Sequence, residues 1–236
     1  MTQIILTLNL IASILPGEKL TYEVKYGFIK AGVLTLSLTK DSLDGQPVYH
    51  ILMRLHSSPS FSRLYSINDE FHSYVDTAFT HSIVYKKRIR EGNYKLDVSI
   101  SYFPDSGYAL YSNGKRYEIE GNVFDPLAAI FFMRKLGVKP GETLRIPYHV
   151  DGITAIATVV PERFRKIRLP WGKYRGVSVK PDFGKKGLLK GETTLWIGPY
   201  KPYIPLFIEA RISFGTLSAK LIRYQIRGKD VIPLRH

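Results

Sequence analysis

Lys19-Leu-Thr-Tyr-Glu-Val-Lys-Tyr26 decides the fold class, because its apolar residues fall on every second position. Leu20, Tyr22, Val24 and Tyr26 share one side of an extended chain, and Lys19, Thr21, Glu23 and Lys25 share the other. That is the period of a strand with one dry and one wet face. The next run repeats it, with Leu34, Leu36 and Leu38 alternating with Val33, Thr35 and Ser37. Gly27 to Gly32 lies between the two, and so short a glycine-flanked connection predicts a hairpin.

Outward from this hairpin the same period continues. Asp41-Ser-Leu-Asp-Gly45 reads as a turn into a strand at Val48 to His56. Further strands are predicted at Ile67 to Val75, Ser82 to Arg90 and Tyr94 to Phe103, the last two joined by the tight loop Glu91-Gly-Asn93. Tyr108 to Ser112 and Arg116 to Ile119 flank Asn113-Gly114, the strongest short hairpin signal in the chain. Later candidates are Thr143 to His149, Thr154 to Val160, Tyr174 to Lys180, Thr193 to Ile197, Leu206 to Phe214 and Leu217 to Arg227. Hairpin-length loops leave no room for parallel crossovers, so the sheet is expected to be antiparallel. The fold class is therefore mainly β: an antiparallel half-barrel or a two-sheet sandwich, with one apolar helix as plug or lid.

That helix is Asp125 to Leu136. Asp125 suits an N-cap, and Pro126 stands at the first helical position, where a missing N–H costs nothing. Leu127, Ala128, Ala129, Ile130, Phe131, Phe132 and Met133 are apolar all round. Arg134 and Lys135 then meet the negative end of the helix dipole, and Gly137 and Pro140 stop the helix. A helix with this pattern is expected to be a core plug or the cover of an apolar cavity.

The chain has 236 residues, ordinary hydrophobic content and a formal charge of +14. One β-rich domain is expected over residues 17–236, preceded by a segment at 1–16 that reads as a signal peptide or an apolar first strand. Its apolar run is too short to span a bilayer as a helix, and no Lys or Arg precedes Lys19. The charge has three readings: an anionic partner surface, a thermophile's habit, or solubility. With no Cys, disulfides, thiolate catalysis, thiolate metal sites and lipoprotein acylation are excluded.

Catalytic signals are sparse. The six histidines form no helical metal-binding pair, and no metal or cofactor is expected. Glu70 and His72 would share a strand face and could form a proton-transfer dyad or a structural contact. Gly184-Lys-Lys-Gly187 with Gly191 is a weak phosphate-loop candidate, lacking the hydroxyl residue that should follow its lysines. No nucleophile elbow or dinucleotide fingerprint is present.

Three basic clusters carry much of the charge: Lys86 to Arg90, Arg163 to Arg168 and Lys185 to Lys190. On a strand, Lys86, Arg88 and Arg90 would form a cationic stripe. It is either a solvated face or, together with Arg163, Arg165, Lys185 and Lys186, a surface that attracts anionic headgroups or another polyanion. Nucleic acid is not expected as a partner, since no fold signature for it is present.

Several segments together resemble one family. Leu20-Thr-Tyr-Glu-Val-Lys-Tyr-Gly-Phe-Ile-Lys-Ala-Gly32, Asp69 to Asp76 and Arg88 to Tyr94 look like its N-terminal half. Asp125 to Arg134, Pro170-Trp-Gly-Lys-Tyr174 and Leu195-Trp-Ile through Pro205 to Leu221 look like the rest. The chain is similar to the bacterial domain-of-unknown-function family numbered 3108, over about Gly17 to Tyr224. The resemblance implies an exported envelope protein, of the periplasm or cell envelope, with no assigned activity and no catalytic residues to carry over. The departure is the missing basic start of a signal peptide.

Two functional expectations follow. The first is non-enzymatic binding of a hydrophobic or amphiphilic ligand such as a lipid, against Leu127, Ile130, Phe131 and Met133. The second is a structural or assembly factor that docks on an anionic envelope surface or partner through the basic residues.

Overall fold

The structure, a computed structural model, describes residues 14–182, 193–212 and 215–233. The segment at 1–13, the glycine-lysine loop with Lys185 and Lys186, and Phe214 therefore lie outside the described residues.

The alternation at Lys19 to Tyr26 becomes strand β1 (Glu18–Tyr26), which buries Glu18, Leu20, Tyr22 and Val24 on one side. Gly27 turns the chain at a φ of +56°, a left-handed value that glycine adopts without strain. Strands β2 (Ile29–Leu43), β3 (Gln46–Ser57), β4 (Asn68–Asp76), β5 (Ser82–Glu91), β6 (Tyr94–Phe103), β7 (Tyr108–Tyr111) and β8 (Arg116–Glu118) follow as a meander. A one-turn helix α1 (Pro59–Ser62), absent from the sequence expectations, sits between β3 and β4 under the Ser58 cap. After helix α2 (Pro126–Leu136) come β9 (Leu144–Val150), β10 (Ile153–Leu169), β11 (Gly172–Asp182), β12 (Thr193–Ile197), β13 (Pro205–Ile212), β14 (Gly215–Ile226) and β15 (Lys229–Asp230).

All strand–strand pairings among the described residues are antiparallel, and the strands join into one sheet in the order β8 to β1, then β14 back to β9, with β15 beside β14. The seam is β1 against β14, with Leu20 opposite Tyr224 and Val24 opposite Ala219. The hydrogen-bonded ladder is therefore a single sheet, where the sequence had left a two-sheet sandwich open. Its two ends approach each other. The Tyr102 hydroxyl donates to the His149 carbonyl at 3.1 Å and the Thr154 hydroxyl to the Glu118 carbonyl at 2.9 Å. Phe124, after β8, bridges to Tyr148 of β9.

One strand is much longer than expected. β10 does not stop at Val160 but continues through Pro161 to Leu169, so the second basic cluster lies in a strand. Pro161 cannot donate to a ladder, and the register against β11 shifts between Pro161 and Phe164, a bulge that accommodates it.

Helix α2 has the predicted boundaries. The Asp125 carboxylate accepts from the Leu127 and Ala128 amides at 2.9 and 3.1 Å, and Gly137 closes the helix at a φ of +90°. Leu127, Ala128, Phe131 and Met133 are buried, and Ile130 is half-buried. Phe131 packs on Phe79, and Phe132 stacks on Phe124 at 4.3 Å between centroids. Each such fully buried side chain stabilises the fold by roughly 1.5–3 kcal/mol. Arg134 stands in the last turn as the sequence places it, and the structure adds that it is fully buried, where Glu18 neutralises it.

Candidate functional site

Three polar clusters lie inside the sheet, and each is saturated by its own partners. The Asp125 Oδ2 accepts from the Ser73 and Ser82 hydroxyls at 2.5 and 2.6 Å, while Oδ1 caps α2. Burial pushes the Asp125 carboxyl up against these four donors. Arg134 grips Glu18 through two bonds of 2.7 and 2.8 Å and donates a third, from Nε, to the Pro202 carbonyl. The Tyr224 hydroxyl donates to the same carboxylate at 3.3 Å. His149 contacts the Tyr111 hydroxyl through Nε2 at 3.0 Å and the Thr154 hydroxyl through Nδ1 at 2.8 Å; burial lowers it to about 4, so it is neutral. Among the described residues no buried side-chain polar atom lacks a partner, and no three potential ligands converge on a metal position.

Glu70 and His72, for which the sequence leaves open a proton-transfer dyad or a structural contact, make no direct hydrogen bond to each other. Glu70 is taken by Arg54 at 2.7 Å and Arg88 at 3.5 Å, and His72 Nδ1 instead meets His50 Nε2 at 3.0 Å. Neighbouring same-side residues on one strand stand too far apart to compete with these cross-strand partners. Burial lowers both histidines. The pair stacks, with His50 also lying on Tyr74 at 4.4 Å.

The expected cationic stripe does line the outer side of β5, but most of its charge is answered. Arg88 reaches Glu70, and Arg90 binds Asp97 at 2.6 Å. Lys86 lies 5.9 Å from the centre of the Tyr74 ring. Lys87 points the other way and pairs with Asp151.

The hairpin β10–β11 differs. Its turn is Pro170-Trp171, closed by Gly172 at a φ of +127°. The register sets Lys166 opposite Arg175 and Arg168 opposite Lys173, and directly opposed residues project from the same side. This is the side that buries Val177 and Val179 further along; toward the turn the same side is exposed, and its residues are cations. None of Lys166, Arg168, Lys173 and Arg175 takes part in an ion pair among the described residues. Arg175 covers the exposed Phe164 ring at 4.2 Å and borders a shallow depression walled by Gly198 to Pro202.

Arg163 and Arg165, singled out from sequence, are exposed on the same strand but stand apart from this group. The Arg163 amide donates to the Ser178 hydroxyl in the bulge, and Arg165 lies 5.0 Å over the Trp196 ring on the opposite side. Gly176 faces Arg165, and a Cβ there would stand 2.6 Å from the Ile167 methyl and 3.1 Å from the Trp196 Cβ, so a larger residue would displace Ile167. Lys173 and Arg175 were missed. Folding the chain about Pro170-Trp-Gly172 would have brought them opposite Arg168 and Lys166.

Of the helix residues expected to touch a ligand, Leu127, Phe131 and Met133 are covered by protein, and Ile130 is partly covered. No helix among the described residues is long and apolar enough to cross a membrane.

Comparison with known proteins adds the fold and the family. No curated protein matches the chain. The crystal structure of a beta-barrel-like protein of the domain of unknown function DUF1849 from Brucella abortus superposes with a TM-score of 0.61 at 9% identity, covering 90% of this chain and 98% of that one. At that identity the likeness concerns the fold alone. The family model of the protein of unknown function DUF3108 matches residues 21–222, from β1 to β14, and the chain belongs to that family.

Proposed function

We propose that this protein is a non-enzymatic, exported component of the cell envelope that docks on an anionic surface through the β10–β11 hairpin. One observation carries the reading: Lys166, Arg168, Lys173 and Arg175 share a side, are exposed and have no acidic partner among the described residues. Surface cations are ordinarily interspersed with carboxylates, as on β5. Four left unanswered leave a local positive potential that only an external anion can neutralise. The saturated interior clusters support the absence of an acid–base centre. The second reading, an amphiphile held against α2, has the apolar helix in its favour, but Leu127, Phe131 and Met133 would have to leave their protein contacts to meet it. Native mass spectrometry after extraction from the host would reveal such a ligand.

The test is elution from an immobilised sulfated polysaccharide in a salt gradient. Lys166→Glu with Arg168→Glu is expected to weaken binding about tenfold, a loss of about 1.4 kcal/mol. Lys86→Glu with Arg88→Glu changes the net charge by the same amount and serves as the control. Equal elution of the two variants would overturn the proposal, since only net charge would then matter.

A further inference from the structure

Three connections leave the same end of the sheet, and each exposes large apolar side chains. Because the strands alternate in direction along the order β1 to β6, the β1–β2, β3–β4 and β5–β6 connections emerge together, opposite the end that carries the β10–β11 turn. Phe28, at the tip of the first, is fully exposed, and Ile29 beside it is 59% exposed. Leu64 and Tyr65, in the second, are 82% and 42% exposed, and Tyr94, which follows the third as the first residue of β6, is 55% exposed.

The connections touch one another. The Ser58 amide and hydroxyl donate to the Ala31 and Lys30 carbonyls, holding the β3–β4 connection against the start of β2. The Gly92 amide donates to the Ser66 carbonyl at 2.8 Å, and the Tyr65 ring lies over Gly92. The apolar residues therefore form one rim. Monomeric proteins rarely group exposed apolar side chains in this way without a partner.

We infer that this rim docks on the interface of a lipid bilayer containing anionic headgroups. Its apolar residues stand at convex tips instead of lining a groove, which suits a deformable medium better than a complementary protein surface. Tyr65 and Tyr94 have the amphipathic character that favours the headgroup level. Charge agrees: Arg63, exposed on the second connection, and Lys95, exposed at the start of β6, have no ion pair among the described residues. Basic residues near an anionic bilayer are attracted to its surface potential. The inference does not depend on the hairpin cations, which lie at the other end of the strands.

Flotation with vesicles of phosphatidylethanolamine and phosphatidylglycerol tests it, alongside the emission of Phe28→Trp. The wild type is expected to float with the vesicles, and Phe28→Asp with Leu64→Asp to lower the partition coefficient at least tenfold while the far-UV circular dichroism is retained. Phe28→Trp is expected to shift its emission to the blue on vesicles. Arg63→Glu with Lys95→Glu should weaken binding only when phosphatidylglycerol is present. A wild type that does not float, a double variant that floats equally, or a rim that acts only to join two copies of the chain, seen as a dimer by sedimentation that Phe28→Asp with Leu64→Asp dissociates, would each overturn the inference. Lys166→Glu with Arg168→Glu should float as the wild type does, so failure here and failure of the hairpin reading are separable.

Discussion

Strand β5 and the hairpin β10–β11 carry the same kind of sequence and stand in opposite electrostatic states. Both alternate cations along an extended chain. On β5, Glu70 from β4 and Asp97 from β6 answer Arg88 and Arg90. On the hairpin, the residues opposite Lys166 and Arg168 are Arg175 and Lys173, so the register doubles the charge. A basic stripe therefore has no meaning strand by strand. Its neighbours across the ladder decide whether it is a neutralised surface or a site.

The comparison can be pressed hardest at the buried limit, where two opposite charges have no solvent to turn to. Glu18→Gln leaves the Arg134 guanidinium buried and unpaired. Breaking such a pair should destabilise the protein by about 3–5 kcal/mol. Urea denaturation measures this, and a loss below 1 kcal/mol would show that water reaches Arg134. Next in size is the about tenfold gap in polyanion affinity between hairpin reversal and β5 reversal. The comparison breaks if the two surfaces can be made alike: Glu70→Gln with Asp97→Asn should unmask the β5 cations and raise the salt needed for elution, even in the protein lacking Lys166 and Arg168.

The smallest effect concerns pH. The Arg54 hydrogen bond, aided by the charges of Arg54, His72 and Arg88, holds the Glu70 carboxyl below its usual range of 4.5. A lowered folded value means that Glu70 contributes stability above the ordinary carboxylate pKa and loses it as the pH falls through its depressed one. At a surface site the contribution is a few tenths of a kcal/mol. The difference in melting temperature between wild type and Glu70→Gln should therefore be present at neutral pH and vanish in acid. A difference unchanged by acid would assign it to packing.

Much of the fold was legible from local pattern. Period two located nearly every strand, and Asp125, Pro126 and Gly137 bounded α2 to the residue. What was not legible depends on which strands become neighbours. The β1–β14 seam, the meeting of the sheet's ends and the burial of Arg134 by Glu18 all join residues far apart in the chain, and no local period records them. The continuation of β10 past Val160 was not legible for a different reason: Pro161 argues against a continuing strand, and only the bulge against β11 accommodates it. The candidate site was half visible. The cluster Arg163 to Arg168 stood out as charge, but its unpaired state needed the facing strand.

The β1–β14 seam also dictates an order of events. Glu18 and Tyr224, which meet across it, are 206 residues apart, so the loop that must close to form this ladder is nearly as long as the protein. Contacts of such separation form slowly, because chain entropy is lost before the contact stabilises anything. Until β14 arrives, β1 has a partner on only one side, and the Arg134 of an already formed helix has a carboxylate held by an unfinished sheet. The sequential hairpins on either side can form from local contacts, so the seam is expected to close last.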